Sequence, residues 1–174
     1  MGLALKTAGV IPLKAMRAMR CLAIPLVAFL AATTSIAVAS EPVITKEVAL
    51  KAIAIFRDDP LSEDGRAAAS IIVIFIEKNH DVIVTLSPKV FPVFRAKGVS
   101  QQETSLLLAA FGAGNLDSQL LRGVKKDDAY AGDLQLIQTY RQLQRKNRKL
   151  NIPALEKLDE MEARGELKRY LSAK

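Results

Sequence analysis

The stretch that most limits what this chain can fold into is residues 67–76, AAASIIVIFI, ten positions with a single polar side chain. Such a run is either a buried helix or the first strand of a hairpin whose second strand is residues 82–86, VIVTL. The flanks favour the helix. Ser62 precedes it as a cap, and Glu63 and Asp64 fall in the first turn, where the positive end of the helix dipole favours acids. Lys78 lies near the other end, and Asn79 is the expected stop. Against the hairpin, the joining residues Glu77 to Asp81 hold no glycine, the first strand lacks alternation, and no third strand is visible to stabilise the pair. The expectation is a helix over 63–78, apolar on all sides, serving as the central helix of a small bundle.

The remaining elements are read outward from it. Apolar residues at three- and four-residue steps predict an amphipathic helix over 44–57, stopped by Asp58-Asp59-Pro60. Residues 82–86 then become an extended connector, and Ser87-Pro88 is expected to open a short helix limited by Pro92. Ser100-Gln101-Gln102-Glu103 matches a capping box, opening a helix expected to end at Gly112-Ala113-Gly114-Asn115, with a separate helical turn over 116–121 stopped by Gly123. Asp127-Asp128 caps a long helix over 129–147. In it Leu134, Leu136, Ile137, Tyr140 and Leu143 face inward and Gln135, Gln138, Gln142 and Arg145 face water. Pro153 restarts a helix that runs to Gly165, and 166–171 adds a last short one. The fold class is therefore all-α, a small irregular bundle of five or six helices, with no repeat of solenoid length.

The first 40 residues have a different character. Lys6, Lys14, Arg17 and Arg20 precede a nearly unbroken apolar stretch over 21–39, and no acid interrupts them. Basic, then apolar, then small is the order of a cleavable signal peptide, with Ala37 and Ala39 forming the A-x-A site and cleavage expected before Ser40. The division is thus 1–39 signal peptide and 40–174 single helical domain. Met16 and Met19 offer alternative starts to Met1 that would shorten the basic part. An uncut signal anchor is the competing expectation, since the apolar stretch nearly reaches the ~20 residues of a bilayer-spanning helix, although Pro25 and Thr33-Thr34-Ser35 weaken it. Cys21 precedes the apolar run rather than following it, which disfavours a lipid anchor.

Loss of those four basic residues with the leader lowers the formal charge from +7 to +3. A domain so weakly basic disfavours nucleic acid as a partner. With Cys21 also gone and His80 the only histidine, disulfides and Cys/His metal clusters are excluded from the mature part, and no metal or other cofactor is expected. No nucleotide-binding glycine motif and no Gly-x-Ser-x-Gly occurs.

His80 beside Asp81 is the only imidazole and carboxylate pair, but sequence neighbours rarely form a catalytic dyad, because the base must be oriented by another element. Asp58-Asp59, Glu63-Asp64 and Asp127-Asp128 are candidate acid–base pairs, yet each falls where a helix starts or stops. The densest charge feature is Arg141, Arg145, Lys146, Arg148 and Lys149, at the end of the long helix. These five are the candidate binding residues, for a protein or an anionic envelope polymer, although a basic helix end is also what the dipole favours. The functional expectation is a periplasmic or secreted, non-catalytic interaction protein that meets the membrane only during export. The alternatives are an envelope carbohydrate or peptidoglycan hydrolase using a carboxylate pair, and a membrane-tethered helical protein.

Overall fold

The computed structural model describes residues 43–173. The expected leader, with Cys21, Ala37, Ala39 and Ser40, lies outside the described residues. Six α-helices and one short 3-10 helix make up the fold, and no strand occurs among the described residues. The hairpin alternative for 67–86 is thereby gone.

Helix α1 (Lys46–Asp58) is capped by Thr45, whose hydroxyl accepts from the Val48 amide at 3.3 Å. Helix α2 (Glu63–Lys78) has the bounds the sequence implies. Ser62 accepts from the Gly65 amide at 2.9 Å, which satisfies one of the amide donors that a helix start leaves unpaired. At its far end Asn79 is extended, and its side chain accepts from the Asp81 amide at 2.7 Å to turn the chain.

The long helix α3 (Gln101–Arg122) corrects the sequence reading twice. It does not stop at Gly112-Ala113-Gly114-Asn115, and residues 116–121 are its continuation; the stop is Gly123, at φ 63°. The internal glycines are contact points. A Cβ on Gly114 would stand 2.1 Å from the Ala131 carbonyl oxygen, and one on Gly112 would stand 2.7 Å from Ile76 Cδ1. Neighbouring helices have closed onto backbone there, and that packing outweighs the ~1 kcal/mol helix-propensity loss of each glycine. The second correction concerns the centre of the bundle. Helix α3, not α2, packs against α1, α2, α4 and the 3-10 helix, and every residue from Ala109 to Leu116 is buried. Small side chains let four elements approach at once. Helix α2 buries Gly65, Ala68, Ala69, Ile72 and Phe75 but leaves Ala67, Ser70 and Ile74 exposed.

Between α2 and α3 the connector is extended as expected, and Gln119 docks it. The Gln119 amide donates to the Ile83 carbonyl at 2.7 Å and accepts from the Ile83 amide at 3.1 Å, giving that residue the two bonds a strand neighbour would give. Ser87-Pro88 opens no helix; one turn closes with the Phe91 amide on the Ser87 carbonyl at 2.8 Å. Pro92 is the reason, because it holds Phe91 out of the helical region (φ −135°, ψ 74°) and itself starts the 3-10 helix Pro92–Arg95. Phe91 is fully buried, edge-on to Phe111 at 6.1 Å.

Asp128 caps α4 (Ala129–Lys146) by accepting from the Ala131 amide at 3.1 Å. Gln135, expected to face water, is buried and accepts from Arg57 Nε at 3.2 Å, because the approach of α4 to Gly114 draws that face inward. Gln142 is half-buried, while Gln138 and Arg145 are exposed as expected. Pro153 opens α5 (Pro153–Ala163), and α6 (Leu167–Ser172) closes the chain. The buried Tyr140 joins α4 to α5: its hydroxyl donates to Glu156 at 2.7 Å and accepts from the Ile152 amide at 2.9 Å.

Candidate functional site

A groove of about 740 Å³ lies between α2 and α3, with the last turn of α4 at one end. Its floor is Ala69, Val73, Leu106 and Ala109, with Leu143 from α4. The groove exists because the outer face of α2 is apolar yet uncovered, and because alanines at 69 and 109 leave a trough between the two helices. That volume lies within the 300–1,000 Å³ common for small-molecule sites.

The two ends of the groove differ. Ile72 and Ile76 reach Gly112 in the middle of α3, and Arg66, one end of the α2 lining, shares the groove with Ser100, Gln102 and Glu103. The two helices therefore run in the same direction along it. Asn147 donates to Glu103 at 3.1 Å, which brings the end of α4, and with it Lys146, to the start of α3. Arg66, Lys146 and Glu103 thus gather at one end, and Val73, Ile74 and Ala109 form the other.

Glu103 is already engaged. It accepts from the Ser100 amide at 2.9 Å, the Ser100 hydroxyl at 2.8 Å and Asn147, and the Ser100 amide bond is the main reason that its carboxyl is held below its usual range. Arg66 donates to the Leu61 carbonyl at 2.5 Å. Lys146 makes no ion pair among the described residues, nor do Arg145, Arg148 and Lys149, all of them exposed. Arg141 stands apart from the other four cations of the candidate cluster. It faces α5, where it pairs with Asp159 and, at 3.4 Å, with Glu162. The five-residue basic cluster is therefore divided, with Arg141 tying helices together, Lys146 in the groove, and Arg145, Arg148 and Lys149 on the adjoining surface.

The remaining candidates stay apart. His80 and Asp81 are exposed on the turn after α2, with Lys125 donating to the His80 carbonyl. Asp58-Asp59 and Glu63-Asp64 are exposed at helix ends. Asp127 accepts from Asn115 at 2.7 Å and from the Thr85 amide at 3.0 Å, a connector-docking role. Burial raises the Asp128 carboxyl, but bonds from Ser118 and the Ala131 amide, with the Arg122 charge, bring it below its usual value. No cluster of three metal-ligating side chains and no helix long and apolar enough to cross a membrane occurs among the described residues.

Two buried groups escaped the sequence reading. Asp133 is fully buried with neither carboxylate oxygen hydrogen-bonded, and Thr139 Oγ1 is likewise unpartnered. Burial pushes the Asp133 carboxyl up to about 8. Its spacing to Ile137 and Tyr140 was the available signal, since an acid four and seven residues before inward-facing positions sits on the same helix face. Asp133 does not line the groove. Comparison of the chain with protein-family models, curated proteins and solved structures returns no match.

Proposed function

We propose that this is an exported binding protein, and that the α2–α3 groove is where it binds. The observation that carries the reading is an open apolar trough whose only acid is committed to a helix cap, while unpaired cations stand at one end. Acid–base chemistry asks for a desolvated acid and a charged partner facing a common substrate. The exposed carboxylate pairs mark helix ends, and the one carboxyl raised by burial has no surface. Export is supported by the order of basic, apolar and small residues over 1–39.

Three measurements test this. Mass spectrometry of the protein recovered from the envelope or medium is expected to give an N-terminus at Ser40; a form that keeps residues 1–39 in the membrane fraction supports the tethered alternative instead. Affinity capture from envelope extracts is expected to retain a partner that Ser70→Trp, which fills the groove, releases. Equal capture by Ser70→Trp overturns the groove as the site. Digestion of purified peptidoglycan that disappears in Glu63→Gln/Asp64→Asn or Asp58→Asn/Asp59→Asn overturns the non-catalytic reading.

A further inference from the structure

We infer that the α2–α3 groove is a head-and-tail site whose ligand is a free, single-chain anionic amphiphile, a long-chain carboxylate being the simplest member. The inference rests on the binding reading of this groove and specifies the ligand class.

The asymmetry of the groove is the basis. A polypeptide partner lying along two helices meets side chains of mixed character over its whole length. Here the charges, Arg66 and Lys146, lie at one end, and the other end is Val73, Ile74 and Ala109. A molecule with one charged head and an apolar tail matches that distribution. From Arg66 to Ile74 the trough runs about 12 Å at the ~1.5 Å rise of a helical residue. Its floor of alanine, valine and leucine offers no buried hydrogen-bonding side chain to a polar tail, so a polar group placed there would be left unpaired. Ala69 and Ala109 set the depth; larger residues there would close the trough by packing α2 onto α3 through side chains.

Charge sets the sign of the head. Among the described residues Lys146 has no carboxylate partner, nor do Arg145, Arg148 and Lys149 beside it on the same helix end and the turn after it. Arg66 faces the same end from α2 and donates to the Leu61 backbone carbonyl rather than to an acid. Glu103 is the opposing charge, and three donors from Ser100 and Asn147 already occupy it. Among the residues that line the head end, two cations face one acid already engaged, and the exposed Glu63 and Asp64 of the first turn of α2 stand outside the lining.

Titration calorimetry of the full chain in its exported form with dodecanoate, dodecanol and dodecyltrimethylammonium, each below its micelle concentration, tests the inference. Dodecanoate is expected to bind about tenfold or more tighter than the other two, since Arg66 and Lys146 favour a negative head over a neutral or positive one. Shortening the tail by one methylene is expected to weaken it by up to about fourfold. Arg66→Glu/Lys146→Glu alters exposed side chains, so the fold survives, and it is expected to reverse the head preference toward dodecyltrimethylammonium. Val73→Gln, which adds polarity to the trough without charge, is expected to weaken all three probes alike, with helix content unchanged by circular dichroism.

Equal affinity for all three heads, or a preference unmoved by Arg66→Glu/Lys146→Glu, overturns the inference. So does adsorption to anionic phosphatidylglycerol vesicles or to an acidic amphipathic peptide with no uptake of dodecanoate. Absence of dodecanoate binding while Ser70→Trp still releases a captured partner would reject the amphiphile and leave the binding reading intact.

Discussion

Asp133 is the residue whose chemistry is least expected from its surroundings. Its usual value is 3.8 and burial lifts it to about 8, so between those limits the folded state holds a proton that the unfolded chain has lost. Its contribution to stability is whole below about pH 4 and declines as pH rises, until it is gone above about pH 8; over that span each pH unit removes up to ~1.4 kcal/mol. Urea denaturation at pH 5 and pH 8.5 is expected to show the protein markedly weaker at the higher pH. Asp133→Asn is expected to flatten that difference, and Asp133→Leu to raise stability at pH 7 by about 2 kcal/mol or more, since it removes both the proton requirement and two unpaired oxygens. An unchanged pH difference in Asp133→Asn would show that another group carries it. The sequence placed Asp133 in the long helix but gave no reason to expect a carboxyl without a donor, because that depends on what α4 packs against.

At the scale of elements, the α3–α4 pair is held by backbone approach. Gly114→Ala puts a Cβ 2.1 Å from a carbonyl oxygen, and backbone cannot swing aside as a side chain can. The substitution adds ~1 kcal/mol of helix propensity and still is expected to destabilise by about 2 kcal/mol net, read as a lower denaturant midpoint. A stabilised Gly114→Ala would mean that the helices are farther apart than described. Capping was the most legible layer. Ser62, Ser100 and Asp128 cap as their local patterns require, because a cap is decided within four residues. Ser100→Ala is expected to cost about 1 kcal/mol, and more in the double variant with Glu103→Ala, which also removes the acceptor of the residue-100 amide and of Asn147, as thermal melts of both will show. Glycine was misread for the same reason that caps were not. A glycine in a helix is a breaker by propensity and a contact by packing, and only the partner helix decides which.

The whole molecule is joined across its long connector by Phe91, which enters the core from outside any α-helix and meets Phe111 of α3. Phe91→Ala is expected to cost about 3–5 kcal/mol, and fluorescence and circular dichroism transitions are expected to stay coincident, since the connector and α3 bury one core. Separate transitions would mean that the connector docks as an independent unit. At this scale the candidate site was only partly readable. Lys146 belongs to the basic cluster that the sequence singles out, but Arg66, Ala69, Val73 and Leu106 carried no signal, because their meeting depends on α2 and α3 running side by side in the same direction. Arg141, part of that same cluster, instead pairs with acids of α5 that lie 18 and 21 positions along the chain.

What the sequence by itself determined is the all-helical class, the capped starts of α2, α3 and α4, the proline-governed start of α5, and the absence of a serine or nucleotide motif. These follow from forces that act within a turn or two of chain. Tertiary structure alone decided which helix is central, why Gly112 and Gly114 continue α3, which glutamine is buried, and where a groove opens. Those outcomes come from volume and close approach between residues far apart in sequence, where the size of a partner's side chain, and not the identity of a neighbour, fixes the result.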